Sequence, residues 1–195
     1  DTNAVEDVFI KTLSTGAIKR ISTSAAGVQG NTRSGKPAWS PDNTAVAFDS
    51  QATNLVSGDT NIDYDIFVKT LATGAISLVS KDYQGRPTLF ANEAPKWSPD
   101  GHRISYNSEN SSLTSKLDVN LYTDVYVVDL RTKRNQLVSV AASGMQGNFR
   151  SSQWYVMNPS GWTPDGRGLI FLSTSSNFSA TDSNGSISSV FVKSL

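Results

Sequence analysis

The sequence predicts an all-β chain built from repeated four-stranded antiparallel units, and three observations carry that prediction. Landmark motifs return at a nearly constant period. The segments between them are short, rich in β-branched and aromatic residues, and bounded by Gly, Pro, Asn or Asp. No segment keeps the apolar spacing of three to four residues over about ten positions that an amphipathic helix needs.

The landmarks are independent of one another. Trp39-Ser40-Pro41-Asp42 recurs as Trp97-Ser98-Pro99-Asp100 and as Trp162-Thr163-Pro164-Asp165, at spacings of 58 and 65 residues. Asp1-Thr2-Asn3, Asp59-Thr60-Asn61, Asp118-Val119-Asn120 and Asp182-Ser183-Asn184 follow one another at 58, 59 and 64. Gly27-Val28-Gln29-Gly30-Asn31 returns as Gly144-Met145-Gln146-Gly147-Asn148, with a weaker copy, Tyr83-Gln84-Gly85-Arg86, between them.

Within a unit the elements follow in order. A Trp strand leads into a turn such as Ser98-Pro99-Asp100-Gly101, where Pro supplies the fixed φ of the second position and Gly closes the fourth. The chain folds back into a second strand, Ala45-Val46-Ala47-Phe48 or Arg103-Ile104-Ser105-Tyr106, and then enters a long loop. A third strand opens with Asp65-Ile66-Phe67-Val68, Thr73-Gly74 makes another tight turn, and Ala75-Ile76-Ser77-Leu78-Val79-Ser80 is the fourth. Four-stranded units in radial repetition are β-propeller blades. The expected divisions of a partial propeller are a half blade over 1–24, blades over 37–81 and 95–140, and an incomplete blade over 156–195.

These residues resemble a known family. Trp-Ser-Pro-Asp-Gly before a short apolar strand, then Asp-Ile-Phe-Val with Thr-Gly after it, is similar to the TolB-like propeller repeat. The stretch Asn54-Leu55-Val56-Ser57-Gly58-Asp59-Thr60-Asn61 is similar to a longer variant found in secreted and surface bacterial proteins. The resemblance covers nearly the whole chain and implies a fold and an extracytoplasmic location (periplasm, secreted or cell surface). Such propellers serve as scaffolds, partner-binding domains and enzyme appendages alike. Departures from the pattern are Asn43 for the turn Gly, Thr163 for Ser, Arg131 to Asn135 without a Thr-Gly turn, and Ser189 where Asp7, Asp65 and Asp124 stand.

Composition narrows the function. The chain has 195 residues, a size for one domain or a part of one, and its 17 basic and 17 acidic residues give zero net charge. No global basic field is available for a phosphate backbone, so nucleic acid is not an expected partner. No run of about 18 apolar residues exists, so membrane insertion through a helix is not expected. With no Cys there is no thiol catalysis, disulfide framework or zinc-thiolate site. The strand count amounts to a little over three blades, fewer than the usual four to eight. Either a longer chain or a second copy is therefore expected to complete the ring, and a start at Asp1 fits a processed or partial chain.

Tight turns at one end of the strands leave the long connections, near 24–37, 50–64, 81–95, 108–123, 141–160 and 173–188, at the other. A binding face is expected there. The loops are rich in Ser, Asn, Asp, Gln and Gly with scattered aromatics, which suits a protein or glycan ligand better than catalysis. His102, the only histidine, follows a Pro-Asp-Gly turn and reads as a solvent-facing turn residue, so no Ser-His-Asp triad is assembled and no enzyme activity is expected. The acids recur with the repeat, whereas a catalytic carboxylate pair should break it.

Two sets of residues stand as candidates. Gln146, Arg150, Trp154 and Tyr155 lie in an expanded loop, and Trp154 has no counterpart in other units; they could stack a sugar ring or anchor a peptide, or Trp154 and Tyr155 cover the core between blades. Asp59, Asn61, Asp63 and Asp65 alternate oxygen ligands as the first half of a calcium loop does. Against a metal, Thr70 stands where a closing Glu is needed, and the same side chains can instead bond backbone N–H groups at the entry to the third strand. Calcium is the one cofactor in question; otherwise none is expected. The repeated Trp39, Trp97 and Trp162 are expected in the core between blades.

Overall fold

A computed structural model describes residues 2–116, 118–152, 161–179 and 187–195. Among them every regular element is a strand. β1 (Phe9–Lys11) and β2 (Ile18–Arg20) pair as a two-stranded sheet. β3 (Ser34–Trp39), β4 (Ala45–Ser50), β5 (Asp65–Thr70) and β6 (Ile76–Leu78) form a four-stranded sheet in chain order, and β7 (Asn92–Trp97), β8 (Arg103–Ser108), β9 (Asp124–Asp129) and β10 (Asn135–Leu137) form another. β11 (Ser151–Ser152), β12 (Gly168–Ser173) and β13 (Ser189–Ser194) make a three-stranded sheet. All pairings are antiparallel. This is an all-β segment of a propeller.

The turn chemistry accounts for the sharp returns. Ser40 Oγ donates to Asp42 and accepts the Thr44 and Ala45 N–H groups, and Ser98 repeats the arrangement with Asp100 and Arg103. The left-handed position after Asp is Gly101 (φ 70°) or Gly166 (φ 68°), and Asn43 takes it at φ 58°. The turn that lacks Thr-Gly puts Lys133 at φ 60° where Gly74 sits at 71°.

The first strand of each four-stranded sheet carries the same bulge. Pairing slips between Gly35 and Ala38 and between Glu93 and Lys96, where Pro37 and Pro95 have no N–H to give a ladder. In the last sheet, Ser152 pairs with Leu172 and Trp162 with Leu169, positions that match Gly35 with Asp49 and Trp39 with Val46. Nine residues separate Ser152 from Trp162 where three separate Gly35 from Trp39, and of these 153–160 lie outside the described residues.

Sheets stack through three apolar clusters. Val8, Ile21, Phe48 and Phe67 join the two-stranded sheet to the next; Ile66, Trp97, Tyr106 and Tyr126 join the two four-stranded sheets; Val125, Val127, Trp162 and Phe171 join the last. Each buried indole also donates across the joint, Trp97 Nε1 to the Ala38 carbonyl at 3.1 Å and Trp162 Nε1 to the Lys96 carbonyl at 3.2 Å. The acceptor in each case precedes the Trp of the sheet before.

Trp39 corrects the expectation that all three repeated tryptophans are core. Trp162 is 1% and Trp97 8% exposed, but Trp39 is 50% exposed. The reason is geometric: among the described residues, the two-stranded sheet before β3 contains only third and fourth strands, and offers no Trp strand whose carbonyl the indole would meet. At the opposite side, Val190 on β13 is 68% exposed, while its counterparts Ile66 and Val125 are fully buried.

The consequence is measurable. Trp97→Ala should cost on the order of 3 to 5 kcal/mol in urea unfolding, as loss of a large core aromatic does. Trp39→Ala should cost less than half of that, and equal losses would contradict the joint described here.

Candidate functional site

In both four-stranded sheets the tight turns (40–44 and 71–75; 98–102 and 130–134) link strands at one end, and the long connections leave from the other. Those long loops are held to each other rather than draped. Asn54 Oδ1 accepts the Asn31 N–H at 2.9 Å while Asn31 Oδ1 accepts that of Thr53 at 3.0 Å. Asn148 with Ser176 and Asn177 repeats this lock, and Asn110 Oδ1 accepts the Phe90 N–H at 2.9 Å. The Asn of the Asn-Leu-Val-Ser-Gly stretch is therefore a loop clamp.

Beneath this rim lies a buried carboxylate in three of the repeats, Ser189 standing at that position in the last. Asp7, Asp65 and Asp124 open their third strands and accept the hydroxyls of Ser22, Ser80 and Ser139 from the fourth, at 2.6, 2.6 and 2.5 Å. The same serines accept the N–H groups of Val8, Ile66 and Val125. Asn61 and Asn120 then donate to the other oxygen of Asp65 and Asp124, at 2.8 and 2.9 Å. Burial pushes the Asp65 and Asp124 carboxyls up, and the hydrogen bonds pull back.

The second carboxylate of the motif separates the repeats. Asp118 lies fully bonded: Gln146 Nε2 donates to it and also to Asp124 at 2.9 Å, and the Tyr126 hydroxyl donates to its other oxygen at 2.9 Å. The Gln146 amide is oriented by the Val119 N–H on its Oε1, as Gln29 is by Thr2. In the middle repeat neither donor exists. The bridges Thr23–Gln29, Lys81–Pro87 and Val140–Gln146 align Pro87 with the glutamines, and strand register aligns Phe67 with Tyr126. Gly85, at φ 84°, matches Gly27 and Gly144, so Gln84-Gly85 is not the counterpart of Gln29-Gly30 that its sequence suggested. Asp59, only 7% exposed, is left with a buried Oδ1 that has no hydrogen-bond partner. Burial, followed by the charge of Asp65, raises its carboxyl to about 6.

The structure therefore brings together Asp59, Asn61 and Asp65 from the first candidate set. Asp63 contributes its N–H to Asn61 Oδ1 at 2.7 Å, the turn-forming role set against a metal at the outset. From the second set, Gln146 is turned inward with both ends of its amide engaged, and Arg150 is exposed. Trp154 and Tyr155 lie outside the described residues. His102 is exposed in its turn, its N–H bonded to Asp100. Sequence reasoning missed Tyr122, exposed on a long loop with its ring centroid 5.8 Å from that of exposed Phe149 on the adjacent one.

Comparison with known proteins agrees with this architecture. No protein-family model matches the chain. It is similar to dipeptidyl-peptidase 5 of Porphyromonas gingivalis, 25% identical over 134 residues, which is 69% of this chain and 17% of that protein. Among solved structures it is similar to TolB from Acinetobacter baumannii, with a TM-score of 0.53, 19% identity, and coverage of 97% of this chain and 37% of that one. The tricorn protease gives 0.52, 12% identity, and coverage of 89% and 13%. The chain thus has the TolB-like β-propeller fold, and it spans about a sixth of the curated relative and little more than a third of the TolB chain.

A pH test follows from Asp59. The folded chain holds this proton up to about pH 6, whereas the unfolded chain releases it near the ordinary 3.8. Stability in chelator-containing buffer should therefore fall as pH rises through that window. Asp59→Asn should flatten the fall and be the more stable at pH 7.5; urea midpoints at a series of pH values check it, and an unchanged slope would refute it.

Proposed function

We propose that this chain is a non-catalytic, extracytoplasmic binding segment of a propeller that presents its long-loop end to a protein or glycan. The observation that supports this reading most is where the exposed apolar side chains stand. Ile62, Leu89, Phe90, Leu121, Tyr122 and Phe149 are all exposed and all belong to the long loops, while the tight turns at the other end, apart from Leu13 between β1 and β2, offer residues such as Asp42, Asn43, Thr73 and His102. Apolar groups gathered on a clamped polar rim suit recognition, because rigid aromatic anchors lose little entropy on binding. Arg150 borders Phe149, and Trp154 and Tyr155 follow them in sequence, outside the described residues. The resemblance of the Asn54-to-Asn61 stretch to secreted and surface proteins supports the location.

A second reading has its own support. The likeness to dipeptidyl-peptidase 5 favours a propeller that shapes or gates a larger hydrolase, whose catalytic groups would lie outside these residues. In either case the open edge of β13 and its exposed Val190 call for a covering partner, either more of the same ring or a second copy.

The test is a glycan-array and peptide-library screen followed by titration of whatever ligand is recovered. Phe149→Ala and Trp154→Ala should each weaken binding about tenfold or more while shifting the unfolding midpoint little. A ligand whose affinity neither substitution changes would contradict the proposed face.

A further inference from the structure

The middle repeat differs from its sister at two positions that act on one carboxylate. Around Asp118 the Gln146 amide fills the space between the two acids, and the Tyr126 hydroxyl caps the far oxygen. Around Asp59 both donors are gone, replaced by Pro87 and Phe67, neither of which carries a side-chain hydrogen to give. Yet the acid itself is retained and buried with one oxygen unpartnered, near enough to Asp65 for that charge to act on it. A repeat that had merely decayed would be expected to lose the acid along with its donors, since an orphaned buried carboxylate oxygen is costly.

We infer that the Asp59–Asp65 pair of the middle repeat is a binding site for a hard divalent cation, calcium by preference, seated where the glutamine amide sits in the neighbouring repeat. Asp59 Oδ1 and Asp65 Oδ2 are its carboxylate ligands. Asp65 Oδ2 accepts only the Asn61 amide among the described residues and keeps lone-pair capacity, while Asp65 Oδ1 is saturated by Ser80, Asn92 and Thr88. Two acids supply two negative charges, and the remaining ligands would be water entering past the exposed Thr60. So irregular and partly aqueous a shell suits calcium, which tolerates six to eight oxygens in flexible geometry, over magnesium, which demands a near-ideal octahedron. The site differs from the contiguous calcium-loop pattern: Asp63 is not a ligand, and the deciding residues, Pro87 and Phe67, lie outside the motif.

The experiment uses the chain after removal of bound metal by a chelator, at pH 7.5, with calcium chloride as the probe. Isothermal titration should show one calcium per chain, and about 5 mM calcium should raise the melting temperature by about 3 °C or more, with magnesium doing less. Pro87→Gln restores the amide of the sister repeat and should abolish both responses while the protein stays folded; Asp59→Asn should do the same. No heat and no shift would overturn the proposal and leave a shared proton as the occupant of the pair. A calcium response that survives in both variants would overturn it as well, because the ion would then bind elsewhere.

Discussion

A four-stranded sheet has two faces and no layer of its own to cover them, so in this chain each sheet is stable only against its neighbours. The joint is an aromatic one: Trp97 and Trp162, each at the end of a first strand, lie on the preceding sheet and spend their N–H on a backbone carbonyl there. That bond matters less for its own free energy, about 1 kcal/mol, than for the position it enforces, since it sets one sheet against the next at the end where the strands turn tightly. Everything at the other end is placed by it.

There the constraint changes from packing to polar satisfaction. Asp7, Asp65 and Asp124 open their third strands as carboxylates buried under the loops, which give them donors: a serine from the fourth strand in all three, an asparagine four residues upstream for Asp65 and Asp124, and a glutamine from the following connector for Asp7 and Asp124. The asparagine clamps above continue the same logic outward. A rim built this way can expose Tyr122 and Phe149 without the loops collapsing onto them. Among the described residues, the middle repeat keeps Asp59 but lacks the two side-chain donors that serve Asp118, which is why it stands apart chemically from the repeat it matches in backbone.

Much of this was legible in the sequence because periodicity is a strong signal. The Trp-Ser-Pro-Asp turns, the Asp-led third strands and the grouping of Asp59, Asn61 and Asp65 all follow from spacing. What spacing could not give was context. Trp39 has the same neighbours in sequence as Trp97, but its burial depends on a sheet to stack on, not on its own residues. Pro87 was hidden by Gln84-Gly85, a better match in letters but three positions out of register; the backbone settles the alignment because Gly27, Gly85 and Gly144 share one left-handed conformation. Phe67 and Tyr126 both read as strand aromatics, and the hydroxyl that separates them matters only once Asp118 is seen beside it.

The central claim is that the long-loop end is a fixed rim held by side-chain bonds to backbone amides. Native-state hydrogen exchange of Asn31, Thr53, Phe90 and Ser176, whose N–H groups are bonded to asparagine side chains, tests it directly. These amides should exchange far more slowly than those of exposed Ala4 and Glu6, whose N–H groups have no hydrogen bond among the described residues, and approach the protection of the adjoining strands. Exchange at unprotected rates, with the strands still protected, would mean that the loops move freely and that the rim does not exist as described.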